Sequence, residues 1–166
     1  MLYEKKIIDN FLSKEENDNI FKVLTSNEFC WYFNSDTVTG IEELDNSMDT
    51  YFVHPFYQNF RPLSPEIDIL APIFNKLSLK ALVRVKANLY PYTQEIRKHG
   101  FHIDQPYDLK SCLYYVNTNN GFTTFEDGTK VESVANRAVF FNSIEPHCSS
   151  TTSNSKFRIT INFNYF

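Results

Sequence analysis

Glycine is scarce in this 166-residue chain, at four residues, and cysteine scarcer still, at three. Cys30, Cys112 and Cys148 show no metal-like spacing, and their odd number argues against a disulfide framework, so a reducing compartment is expected. No apolar run reaches the ~20 residues needed to span a bilayer. The N-terminal Met-Leu-Tyr-Glu-Lys-Lys has no hydrophobic region of the signal-peptide kind. The expectations are therefore a cytoplasmic location and no membrane association. Positive charge is not in excess either: the net charge is −4, and Lys5-Lys6, Arg84 with Lys86, and Arg97-Lys98 are dispersed, so no nucleic-acid partner is expected.

What the chain has in quantity is aromatic, with sixteen phenylalanines and ten tyrosines. These favour strands and a ring-rich core. The length suits a single domain over residues 1–166, large enough to bury about two-thirds of its unfolded surface. Within it, residues 1–81 read as supporting helices, strands and substrate loops, and 82–166 as a strand-rich core. Ser13-Lys14-Glu15-Glu16 is a capping box that opens a helix to about Leu24. Ser64-Pro65 marks a second helix start, which Pro72 would kink or split. Strands are expected at 3–8, 29–33, 50–54, 82–90, 101–104, 110–117, 122–125, 131–134, 138–141 and 158–165, and 34–62 otherwise reads as loop. Two helices followed by many short strands predict a mainly β fold, a jelly roll buttressed by N-terminal helices.

His102 and Asp104 are two residues apart. Alternate residues of an extended chain share a face, so an imidazole and a carboxylate at this spacing converge on one ion. His147 would add a third ligand from another strand. Two histidines and a carboxylate on one face of an octahedron leave positions open, as in non-haem Fe(II) oxygenases. By the same parity His99 should face away from the ion, and His54 reads as an ordinary surface or core histidine.

The segment from Arg158 to Tyr165 alternates strictly, with Arg158, Thr160, Asn162 and Asn164 on one face. That face either meets solvent, the commoner case, or lines a barrel interior. If interior, Arg158 must be paired. A bound dicarboxylate would pair it through the planar guanidinium fork, and Thr160 could add a hydroxyl hydrogen bond. Arg84 and Lys86 likewise share a face, which reads more readily as solvated than as an anion patch.

His102-x-Asp104, His147 and Arg158 together resemble the metal and cosubstrate residues of the Fe(II)/2-oxoglutarate-dependent dioxygenases, most closely the prolyl-4-hydroxylase-like branch and its small phage-type members. Supporting segments match in order: Asn88-Leu89-Tyr90-Pro91, Cys112 to Asn117, Gly121 to Phe125, and Asn136 to Phe141. The resemblance covers roughly Leu82 to Phe166. It implies a cupin-like double-stranded β-helix, a metal site of His102, Asp104 and His147, and cosubstrate contacts from Arg158, Tyr90, Tyr115, Leu113 and Thr160. It also implies Fe(II), 2-oxoglutarate and dioxygen as cofactor and cosubstrates. The expected reaction hydroxylates an unactivated C–H bond of a prolyl or other residue in a peptide or protein, or of a small molecule, with release of succinate and CO2.

Departures from the family pattern are also informative. The usual Gly-Gly is Gly121-Phe122, and the expected Lys-Gly-Arg turn is Ala135-Asn136-Arg137. Asp104 is retained where related halogenases carry a small residue, which favours hydroxylation. Asn164 stands where nucleic-acid demethylases usually have a second arginine. Two other readings are a jelly-roll ligand-binding module without turnover and a cupin-like metalloenzyme that does not use 2-oxoglutarate.

Overall fold

The computed structural model describes residues 4–34 and 50–166. In chain order they form strand β1 (Lys6–Ile8), helix α1 (Lys14–Leu24), β2 (Tyr32–Asn34), β3 (Tyr51–Gln58), β4 (Arg61–Pro62), a 3-10 segment (Pro65–Leu70), α2 (Ala71–Phe74), β5 (Leu82–Pro91), β6 (Lys110–Tyr115), β7 (Phe122–Phe125), β8 (Lys130–Glu132), β9 (Arg137–Asn142), β10 (His147–Ser149) and β11 (Phe157–Tyr165). Part of the loop expected at 34–62 lies outside the described residues; the rest is mostly β3, with His54 buried on it against Phe29 and Phe56.

The major sheet runs β1-β9-β6-β11-β5-β3-β2, with β4 beside β3, and a smaller sheet runs β10-β7-β8. Every strand pairing is antiparallel. One apolar core fills the space between the outer face of the major sheet and the helices, joining Ile20 and Leu24 of α1 and Ile73 of α2 to Val85, Ala87, Ile159, Ile161 and Phe163. A second, smaller core lies where the sheets face each other and joins Leu113, Tyr115, Val139 and Phe141 to Phe125 and Val131. This is the mainly β, helix-buttressed jelly roll read from the sequence.

Local chemistry explains the boundaries. Ser13 and Glu16 form the reciprocal capping box that starts α1. After Ser64-Pro65 the chain first winds as a 3-10 turn and becomes α-helical only at Ala71, which places Pro72 in the first turn of α2, where its missing N–H costs nothing. Asn136 takes the left-handed backbone its turn needs, with φ of 64°. Its amide also ties the turn to the N-terminal segment, accepting from Leu12 N at 2.7 Å and donating to Leu12 O at 2.8 Å.

Asn136→Ala therefore loses both hydrogen bonds to Leu12 and the contact from the Tyr114 hydroxyl at 3.0 Å, and strains the backbone, a cost of at least ~2 kcal/mol. Asn136→Gly should lose less, because it keeps the left-handed turn. Denaturant unfolding of the two variants checks this, and equal losses would contradict the backbone part of the account.

Candidate active site

Three neighbouring strands build the site by parity. In register, Arg158 lies beside Tyr90; Thr160 beside Asn88 and Tyr115; Asn162 beside Lys86 and Leu113; and Asn164 beside Arg84 and Ser111. The polar face of β11 is interior: Arg158 and Asn164 are 0% exposed, Thr160 1% and Asn162 5%. The other face, from Ile159 to Tyr165, is buried against the helices. Strands buried on both faces usually read as continuous apolar runs. Alternation in this one marks a polar interior, so the solvent-facing alternative does not hold.

His102 and Asp104 follow β5 but form no strand. The expected strand 101–104 is reduced to one bridge, with His102 N donating to His147 O at 2.9 Å and His147 N to His102 O at 3.0 Å. Asp104 N then turns to Ser143 O at 2.9 Å. The bridge still brings the side chains together: one ligand atom from each of His102, Asp104 and His147 lies within 4.8 Å of the others. His147 Nδ1 is held 2.9 Å from Glu145 O, and its Nε2 faces Asp104 Oδ1 at 3.8 Å.

The Asp104 carboxylate accepts four hydrogen bonds. Oδ1 accepts from Asn162 Nδ2 at 2.7 Å and Arg84 Nη2 at 3.1 Å; Oδ2 accepts from Ser111 Oγ at 3.1 Å and Asn164 Nδ2 at 3.2 Å. Burial works to raise its pKa, but His147, Arg84 and the Asn162 hydrogen bond outweigh it, and the net shift is downward. Burial, with His147 opposite, pushes His102 down to about 4. At neutral pH the site thus offers a neutral imidazole and a fixed carboxylate, the forms that bind metal. The buried Nδ1 of His102 makes no hydrogen bond of normal geometry. The nitrogen and oxygen donors that His102, Asp104 and His147 bring together make the cluster suited to a divalent cation of the iron or zinc kind.

Arg158 is completely buried at the other end of the interior row. Nε donates to Ser133 Oγ at 2.7 Å, Nη2 to Thr123 Oγ1 at 3.0 Å and, more weakly, Nη1 to Ser150 O at 3.4 Å. The guanidinium lies over the rings of Tyr90 and Tyr115, at 5.2 and 5.6 Å. Among the described residues no carboxylate pairs with it, and burial lowers its pKa from the ordinary arginine value. Gly121 permits this packing, since a Cβ there would sit 2.6 Å from Arg158 Cδ. A narrow pocket of about 30 Å³, roomy enough for one or two waters, joins Arg158 and Thr160 to His102 and His147, with Leu113 and Tyr90 in its wall.

Outward the pocket continues into a cleft of about 520 Å³, lined by residues that include Arg84, Lys86, His99 and Phe101. His99 does not face away as strand parity required. Because 99–104 is not extended, its ring stacks on Tyr90 at 5.2 Å and Nδ1 lies 2.7 Å from Ser149 Oγ. Arg84 and Lys86 are not a solvated face; they wall the cleft. Sequence reasoning missed Arg84, Ser111, Asn162 and Asn164 around Asp104, and Thr123 and Ser133 on Arg158. Parity with Arg158 and Tyr90 was the available signal for Asn162, Asn164 and Arg84.

The depressed His102 fixes the sign of an acid effect. The unfolded chain takes up a proton near pH 6.5, whereas folded His102 does so only near 4, so metal-free stability falls with pH through that window, by on the order of 3 kcal/mol. Asp104, also depressed, adds a loss at lower pH in the same direction. Denaturant midpoints between pH 7 and 4.5 should fall less in His102→Gln than in the parent; parallel curves would count against this.

No family model and no curated protein matches the chain. Solved structures do match in fold. A prolyl hydroxylase from Trichoplax adhaerens, in complex with a hypoxia inducible factor oxygen degradation domain peptide fragment, aligns with 98% of this chain and 83% of its own at a TM-score of 0.68 and 16% identity. A Pseudomonas putida prolyl-4-hydroxylase aligns over 97% and 91% at 0.60 and 17%. An oxidoreductase of the 2OG-Fe(II) oxygenase family from Burkholderia pseudomallei aligns over 97% and 84% at 0.66 and 11%. This chain has the fold shared by prolyl hydroxylases and 2OG-Fe(II) oxygenases.

Proposed function

We propose that this chain is an Fe(II)- and 2-oxoglutarate-dependent dioxygenase that hydroxylates an unactivated C–H bond, with a residue of a peptide as the favoured substrate class. The observation that carries the reading is Arg158, a buried guanidinium without a carboxylate partner among the described residues, at one end of the pocket whose other end holds His102 and His147. A buried charge is costly until paired, and a dicarboxylate that reaches a metal with one end supplies the pairing with the other. A metalloenzyme that does not use 2-oxoglutarate would have no need of this residue. The peptide preference rests on the Trichoplax neighbour, whose structure contains a peptide.

In this reading His102, Asp104 and His147 hold the iron. When bound, the iron supplies the chemistry by which dioxygen converts 2-oxoglutarate to succinate and CO2 and the second oxygen atom enters the C–H bond as hydroxyl. The chain's own contribution is positioning. Arg84, Asn162, Ser111 and Asn164 fix the Asp104 carboxylate through both oxygens, and the Glu145 carbonyl fixes His147. Arg158, with Thr160 beside it, takes the far carboxylate, while Tyr90, Tyr115 and Leu113 wall it off from water. The narrow pocket has to widen to admit a dicarboxylate. The division into a supporting part, 1–81, and a site-bearing core, 82–166, belongs to the same proposal.

Succinate formation should require both Fe(II) and 2-oxoglutarate and vanish in Asp104→Ala; unchanged turnover in that variant would overturn the ligand assignment. Arg158→Met should weaken 2-oxoglutarate binding by about 2–5 kcal/mol, yet change the melting temperature of the metal-free protein little, because removal of an unpaired buried charge offsets the hydrogen bonds lost to Ser133 and Thr123. Calorimetric titration and thermal melts check the two halves. A variant that melts lower yet still binds 2-oxoglutarate normally would mark Arg158 as structural.

A further inference from the structure

Lys86 has no place in the oxygenase chemistry, yet it lies in the wall of the same cleft. It sits on the interior face of β5 between Arg84 and Asn88, beside Asn162 of β11. Its ammonium lies 5.9 Å from the Tyr51 ring centroid, and among the described residues no carboxylate pairs with it. Burial, with Arg84 nearby, pushes its pKa down to about 8. Lys86 is half-buried, in the wall of a cleft open to ligands, where a bound anion could reach it.

The charges of the site do not balance. Arg84, Lys86 and Arg158 face one carboxylate, Asp104, and that carboxylate already pairs with Arg84 at 3.1 Å. A divalent ion and a dicarboxylate cosubstrate would cancel each other, so the positive excess remains after both bind. Beside Lys86 on the same face, the buried Asn88 Oδ1 has no hydrogen-bond partner. An ammonium with no carboxylate in ion-pair contact among the described residues and an amide oxygen without a partner, two residues apart on one strand, form a two-point recognition element, with Lys86 in the outer cleft and Asn88 where that cleft meets the narrow pocket.

We infer that the substrate carries a carboxylate that pairs with Lys86, and that a hydrogen-bond donor on the same molecule meets Asn88. This rests on the oxygenase reading, and the carboxylate belongs either to an acidic residue of a peptide or to a small organic acid. A neutral substrate would leave Lys86 desolvated and unpaired, so the site discriminates against it.

The test uses full-length protein loaded with Zn(II) and 2-oxoglutarate, which binds without turnover. Binding of 2-oxoglutarate to this wild-type protein is measured first and reports on the oxygenase reading alone. Ligand-observed NMR then compares glutamate-containing hexapeptide pools with glutamine counterparts, and N-acetylproline with its amide. The acid should bind at least tenfold tighter than its amide in one of the two arms, which identifies the source of the carboxylate. Lys86→Gln should abolish the preference and Lys86→Arg retain most of it. Equal binding of acids and amides, absence of binding in both arms, or a preference that survives in Lys86→Gln would overturn the inference.

Discussion

A row of polar side chains buried inside a β-sandwich governs this structure. Burying an arginine, a carboxylate, asparagines and hydroxyls where a jelly roll usually stacks aliphatic residues carries a desolvation cost that folding tolerates only if each group finds a partner. Asp104 finds four donors, and Arg158 finds two hydroxyls and two aromatic faces but, among the described residues, no anion. The two ends differ in kind: the carboxylate end is fixed by its donors, and the guanidinium end is the one that the proposed function pairs with a charge from outside.

The scaffold makes that cost bearable. The outer face of the major sheet buries its odd-numbered row, Ile159, Ile161 and Phe163, against the helices. Aromatic packing between the two sheets, with Phe125 and Phe141 5.1 Å apart, closes the far side of the site. Both apolar cores flank the polar row, so the hydrophobic stabilisation lies outside the site and leaves the interior free to carry chemistry. Gly121 shows how closely the two are fitted, since nothing larger leaves room for the Arg158 stem.

Much of this was legible in the sequence because side-chain parity in strands is rigid. The Arg158–Tyr165 alternation, the β5 run and the order of the strands follow from periodicity, and the capping box placed α1. Parity failed where no strand exists: 99–104 is irregular, so His99 joined the cleft and the His102–Asp104 convergence rests on a single bridge to His147 rather than on a sheet. What periodicity leaves open is which face looks inward, because a polar stripe suits both water and a lined cavity. That ambiguity hid Arg84 and Lys86 in the cleft wall and the asparagines around Asp104. Resolving it needed the register that sets β11 between β5 and β6.

The most direct test is a crystal grown or soaked anaerobically with Fe(II) or Mn(II) and 2-oxoglutarate. The account predicts one metal ion bound by His102, Asp104 and His147, with a dicarboxylate running from that ion to a bidentate contact with Arg158. A metal elsewhere, or a cosubstrate that leaves Arg158 without its carboxylate, would contradict it.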